Sequence, residues 1–290
     1  MEQLQKYFLS ISVLLLICSC GNSYNDLSSL ERKQKSMELF QKEFVKDHHG
    51  PLQGSPESMT LLDEIIELDS TNCDALRELS VAYLKRGLPH EWKPRFDKAV
   101  ECNPKIWQPW RGYLYLWFYR DYKKAIADFD ASDTLTPDFI DAPQGHSVDY
   151  WRGVAYLGLK DYQSSAHYFN KHIAKVTEDS SEDWVEPNAF LYLGIVYYEN
   201  SEMEKSEFYI DKALQYYNGI SADSHYYKAL LQVSKEEHDK AMISIETAIQ
   251  NYNDGYYCQR DYVEEIRQIY PEQLKELKDT LLIQISEKKL

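Results

Sequence analysis

The chain has 290 residues, with 32 Lys and Arg against 47 Asp and Glu, so its formal net charge is −15. That balance argues against nucleic acid or an anionic membrane surface as the main partner, because both require a basic face that releases counterions. Hydrophobic residues make up 43%, enough for a core, and 24 Tyr against 10 Phe suits half-buried positions where one edge of the ring stays wet.

Residues 1–19 read as a signal peptide. Lys6 precedes an apolar run from Tyr7 to Ile17, too short for a comfortable transmembrane helix and about right for a leader. The run ends in Ile17-Cys18-Ser19-Cys20-Gly21, which resembles the bacterial lipobox. In that family the Cys becomes the first mature residue and carries the lipid, which makes Cys20 the candidate lipidation site and the N-terminal lipid the membrane contact. An ordinary secretory leader with a chance Cys is the alternative. Gly21 stands where some bacteria place the Asp that retains lipoproteins at the inner membrane, so the resemblance implies a cell-envelope protein anchored in the outer membrane and facing the periplasm. Residues 20–28 are polar and form a tether.

Helices follow from 29 to 47 and from 55 to 70, each with an apolar stripe, the second opened by Ser55-Pro56-Glu57. From there the chain repeats itself. Leu62 and Phe96, and Ser70 and Pro104, are each 34 residues apart, and Trp110-Arg111-Gly112-Tyr113-Leu114-Tyr115-Leu116 returns as Trp151-Arg152-Gly153-Val154-Ala155-Tyr156-Leu157. Each copy leads through a break at Asp121-Tyr122 or Asp161-Tyr162 into a second segment with Ala125 and Phe129, or Ala166 and Phe169. Trp92 and Pro94 depart from the pattern, and the Pro predicts that the second helix there starts late. Gly112, Gly153 and Gly194 are 41 residues apart, with the surplus at 138–145 and 180–186; Gly194 to Ala229 closes to 35. Asn253-Asp254-Gly255 is a turn signal, followed by two expected helices, 262–269 and 271–289.

A small residue, an aromatic three later, a turn, then Ala, Phe and a closing Pro resembles the tetratricopeptide repeat. The resemblance implies an all-α, right-handed α-solenoid of helix-turn-helix units, about five to six repeats over residues 29–255, with C-terminal capping helices at 256–290. It also implies that the first helices line a concave face. Their groove-side positions hold Trp110, Tyr113, Trp117, Tyr150, Trp151, Tyr192, Tyr198, Tyr226 and Tyr227, an aromatic surface of the kind that anchors many interfaces. The rings could instead pack between adjacent first helices. Were they a groove, Trp151→Ala with Tyr192→Ala would weaken binding and leave melting nearly unchanged.

Cys73 and Cys102 stand at neighbouring ends of one antiparallel pair, a candidate disulfide in an oxidising compartment; two thiols that never meet is the competing reading. Gly145-His146-Ser147-Val148-Asp149 gathers Ser, His and Asp in sequence, whereas a working triad is assembled in space, so a helix cap is expected there. No motif for a metal or cofactor is present, and no enzyme activity is expected. The family's Lys and Asn clamp for acidic C-termini is missing. The expected function is that of a membrane-anchored periplasmic adaptor or scaffold binding a protein or peptide segment. Its layout is similar to the helical-repeat lipoprotein of the outer-membrane barrel-assembly machinery. The alternative is an envelope protein holding a small ligand such as a glycan or peptidoglycan fragment.

Overall fold

The computed structural model describes residues 24–46 and 50–288; the signal peptide and Cys20 lie outside the described residues. Thirteen α-helices and no strand occur among those described, and none of these helices is long and apolar enough to cross a membrane. They build an α-solenoid of antiparallel helical hairpins, clustered into two compact units that divide between Cys102 and Asn103.

The first unit holds α1 (Ser29–Phe40), which runs into a π-helical turn, α2 (Pro56–Leu68), α3 (Cys73–Lys85) and α4 (Pro89–Cys102). Ser28 opens α1 through a capping box with Glu31, and Ser55 and Asn72 cap α2 and α3 by accepting main-chain amides. Phe40, Leu62, Ile65, Ala75 and Leu79 form the core. Helix α4 begins at Pro89 and carries Pro94 in its interior, so the late start that Pro94 predicts is corrected. The residue whose carbonyl loses its partner, His90, is exposed, and water can take the place of the missing N–H. Cys73 and Cys102 are joined, with Cα atoms 5.8 Å apart, and the reading of two separate thiols is corrected with them. The antiparallel hairpin brings both to a half-open edge rather than into the core.

The second unit holds four hairpins, α5 (Pro104–Phe118) with α6 (Tyr122–Leu135), α7 (Val148–Gly158) with α8 (Tyr162–Asp179), α9 (Pro187–Glu199) with α10 (Met203–Tyr216), and α11 (Ala222–Ser234) with α12 (His238–Asn253). The turn inside each is built alike. Arg120, Lys160, Ser201 and Glu236 take positive φ, and the acidic residue after each returns its amide to a carbonyl five back, as Asp161 does to Tyr156 at 3.0 Å, or six back in the case of Asp121. This is the Schellman closure, and Asp121 and Asp161 then cap the second helix. A Cβ on Gly112, Gly153 or Gly194 would lie 2.7, 2.9 or 2.6 Å from Phe129, Phe169 or Ile210. Ser165 and Ser206 donate to the Gly153 and Gly194 carbonyls at 2.7 and 2.8 Å, so the glycines set the depth at which each hairpin closes.

The surplus between repeats forms short 3-10 turns at Pro143–Gly145 and Glu182–Trp184, and part of it lengthens α8 to 18 residues against 14 in α6 and α10. Beyond α12 there is one capping helix, α13 (Pro271–Glu287). Residues 256–270 are not helical, a correction to the expected pair of capping helices. Tyr262 and Arg267 have φ of 69° and 65°, which no right-handed helix accommodates. What drives the segment is burial: Ile266 and Ile269 are buried, and Ile269 joins the core that α11, α12 and α13 share.

Candidate functional site

The aromatic residues expected to line the groove fall into two ring clusters of the second unit. Trp110 meets Tyr113, Tyr113 and Trp117 meet Trp151 edge-on at 5.2 and 5.8 Å, and Trp151 continues through Tyr150 to Tyr192. Tyr198, Tyr227 and Tyr226 form the second cluster. Their surface is not open. Trp117 and Trp151 are each 1% exposed and Tyr192 5%; Tyr113, Tyr150 and Tyr227 are also buried, while Trp110, Tyr198 and Tyr226 are half-buried.

Part of the cover is the chain's own segment 256–270. It leaves α12 at Gly255, whose φ is +86°, and the Tyr256 carbonyl accepts from the amide of Ala222 at 2.8 Å. The Cys258 amide donates to Asp223 at 2.8 Å. Further along, the Arg260 guanidinium carbon lies 3.9 Å from the centre of the Trp117 ring and 5.7 Å from those of Tyr113 and Trp151. Arg260 also donates to Tyr113 Oη. Such a stack of guanidinium on indole is the cation–π arrangement. Glu265 accepts from Tyr192 Oη at 2.7 Å and sits 3.4 Å from Arg260. On the return, Arg120 donates to the Glu264 carbonyl, and Arg267 pairs with Glu199 in bidentate fashion. The segment is a loop fixed at both ends that enters the groove as far as α5 and comes back.

Burial sets the protonation of these groups. Tyr150 and Tyr192 are pushed well above the usual phenol range by desolvation, with Glu265 adding to it, so Tyr192 is a neutral donor. Burial raises Asp223 to about 6 and pushes the Cys258 thiol well up, with Asp223 and Glu265 adding to the effect. A thiol held protonated is a poor nucleophile. Beside the loop a cavity of about 360 Å³ remains, lined by Asn188, Tyr217, Cys258 and Glu265 among others. The groove thus holds the chain's own main chain together with a guanidinium and a carboxylate.

Ser147 caps α7 by accepting from the Tyr150 amide at 3.1 Å, and its hydroxyl is also 2.9 Å from His172 Nδ1. His172 and His146 both bond Glu186, at 3.0 and 2.7 Å. These contacts tie the two inter-repeat inserts together. Burial works to raise the Glu186 pKa, yet the two His bonds hold it well below the usual range. No group of three or more His, Cys, Asp or Glu among the described residues is placed to hold a metal ion.

Arg260, Glu265, Asp223 and Cys258 are not among the expected site residues: Glu265 falls in the expected helix 262–269, and the others meet only once the loop folds back onto the array. The signal that could have found them is the length of chain between Gly255 and Pro271, longer than the turns elsewhere in the array.

No family model matches the chain, and no curated protein matches it. Solved structures do. MamA from Desulfovibrio magneticus RS-1, residues 41 to the end, is 18% identical with a TM-score of 0.52, over 63% of this chain and 96% of that one. PilF from Pseudomonas aeruginosa is 17% identical with a TM-score of 0.54, over 78% and 94%. A tetratricopeptide repeat protein from Parabacteroides merdae is 14% identical with a TM-score of 0.50, over 88% and 98%. At these identities the likeness concerns the fold, and the fold is the α-solenoid of tetratricopeptide repeats.

Proposed function

We propose that this chain is a membrane-anchored periplasmic adaptor that binds a segment of a partner protein in the aromatic groove of its second unit. The observation that carries this is the seating of 256–270. The groove holds an irregular, non-helical polypeptide by a ring cage around Arg260 and a phenol on Glu265, which is peptide recognition performed on the chain itself. The solenoid fold supports the reading, since it serves as an interaction scaffold in many settings. The Cys73–Cys102 bridge fits an oxidising compartment, and Cys20 supplies the proposed lipid anchor.

A photocrosslinking residue placed at half-buried Trp110 or Tyr198 in intact cells should capture one envelope protein. Adducts that appear equally at an exposed control on the other helix layer, such as Phe208, would remove the groove from the proposal. Cys20→Ser should leave the chain unprocessed or soluble, and normal membrane retention at normal mature mass would overturn the anchor. The cavity beside Cys258 keeps a small-ligand reading in view. Thermal stabilisation by muropeptides or sugars, with no protein captured, would favour it.

A further inference from the structure

We propose that Tyr113, Trp117 and Trp151 form an arginine-recognition site for a partner's non-helical segment, in which loop 256–270 sits as an internal competitor. This rests on the peptide-groove function above and adds the chemistry of the ligand.

What the groove reads in the loop is two side chains. The Arg260 guanidinium is stacked on Trp117 and bonded to Tyr113 Oη; five residues on, Glu265 takes the Tyr192 hydroxyl. A segment with Arg, a bend like that at Tyr262, and a carboxylate five residues after the Arg can present the same pair. The planar guanidinium suits the indole face and the phenol oxygen together, which a lysine ammonium does not. An acidic chain of net charge −15 also favours approach by a basic segment.

The loop is a compromised ligand. To return to α13 it must reverse, and Tyr262 and Arg267 take positive φ along that course, conformations that cost a non-glycine residue free energy. A segment with glycine at the first of these positions that runs on past the carboxylate avoids both costs. Trp117 Nε1 is buried with no acceptor among the described residues, so the resident loop leaves a donor of the site unsatisfied. The cavity of about 360 Å³ lies at the loop's Glu265 end, beside Asn188 and Tyr217, away from the three rings.

The test uses a fluorescent 15-residue peptide with the sequence of 256–270 and Cys258→Ser, titrated into the full mature chain. Removing the loop's two anchors, Arg260→Ala with Glu265→Ala, should give saturable binding about tenfold tighter than wild type. A peptide carrying Arg260→Lys should then bind about tenfold more weakly, and adding Trp117→Ala to the chain should abolish binding. Where the double variant does not fold by circular dichroism, Arg260→Lys alone serves in its place. Absence of saturable binding to a folded variant, or equal binding of an Arg260→Ala peptide, overturns the proposal. So does a dimer of the wild-type chain formed by loop exchange, read by light scattering, because the occupant is then a second copy. If crosslinking captures a partner in the groove while these peptides fail, the adaptor stands and the arginine site falls; if neither is seen, the groove function itself falls.

Discussion

Arg152 lies buried between two repeats of the second unit. Its guanidinium donates to Asp149 at 2.8 Å, to Asp130 at 3.0 Å, to Asp133 at 2.6 Å and to the Phe129 carbonyl at 2.6 Å. Asp149 is buried with it. Removing the cation would leave that carboxylate in a poor solvent, with only half-exposed Lys171 nearby, and breaking a buried pair in this way costs about 3–5 kcal/mol. Arg152→Ala should therefore lower the urea midpoint sharply, while Arg111→Ala, whose partner Asp128 is bound at 2.7 Å from a more open position, should lower it less. The tandem Trp-Arg-Gly made both residues visible in the sequence, and the packing role of Gly112 and Gly153 was legible with them. The role of the Arg was not, because every partner except Asp149 lies 17 to 23 residues away. The same holds for the groove rings. Their identity was readable from the repeat, but their burial was not. Trp151→Ala is thus expected to cost about 3–5 kcal/mol of stability, measurable by the same unfolding experiment, in place of the small effect that an open groove predicts.

At the scale of the element, loop 256–270 explains why part of the site was illegible. Val263, Ile266 and Ile269 recur every three residues, as on a helix face, yet Ile266 and Ile269 are buried in an irregular path because tertiary burial outweighs local periodicity. The loop's attachment responds to pH. Asp223 faces Cys258, Glu265, Tyr217 and Tyr227, and its folded pKa is raised from 3.8 to about 6 by burial. A raised acid stabilises most below its unfolded value and loses that contribution as pH rises through its folded value, here between about 4 and 6, to the order of 3 kcal/mol. Loop protection in hydrogen exchange should weaken across that window, and Asp223→Asn, which still accepts the Cys258 amide, should remove the dependence. The inserts respond with opposite sign. Glu186 is lowered from 4.5, so its tie to His146 and His172 is present above that pH and lost as pH falls.

For the whole molecule, the helical period was strong enough to give the hairpins, their turns and the inserts, since each is set by residues close in sequence. The division between Cys102 and Asn103 has no such local mark. In the first unit the Cys73–Cys102 bridge closes a sequence separation of 29 residues, and a loop of that length stabilises by about 3–4 kcal/mol. Cys73→Ser, or reduction of the wild type, should lower the melting of the first unit accordingly, followed by calorimetry with and without reductant.

The same chain also has a history. Each hairpin needs only its neighbours and can form as the chain emerges, residue by residue from the N-terminus. Arg260 must reach Tyr113 across 147 positions, and Arg120 must reach Glu264 across 144, so these contacts close last. A newborn array accordingly displays bare rings until its final segment arrives, and whatever meets it during that interval finds the seat vacant. Refolding followed by tryptophan fluorescence should show this as a late phase, from quenching of Trp117 and Trp151 as the guanidinium docks. In Arg260→Ala that phase should vanish while the helical signal recovers at its usual rate.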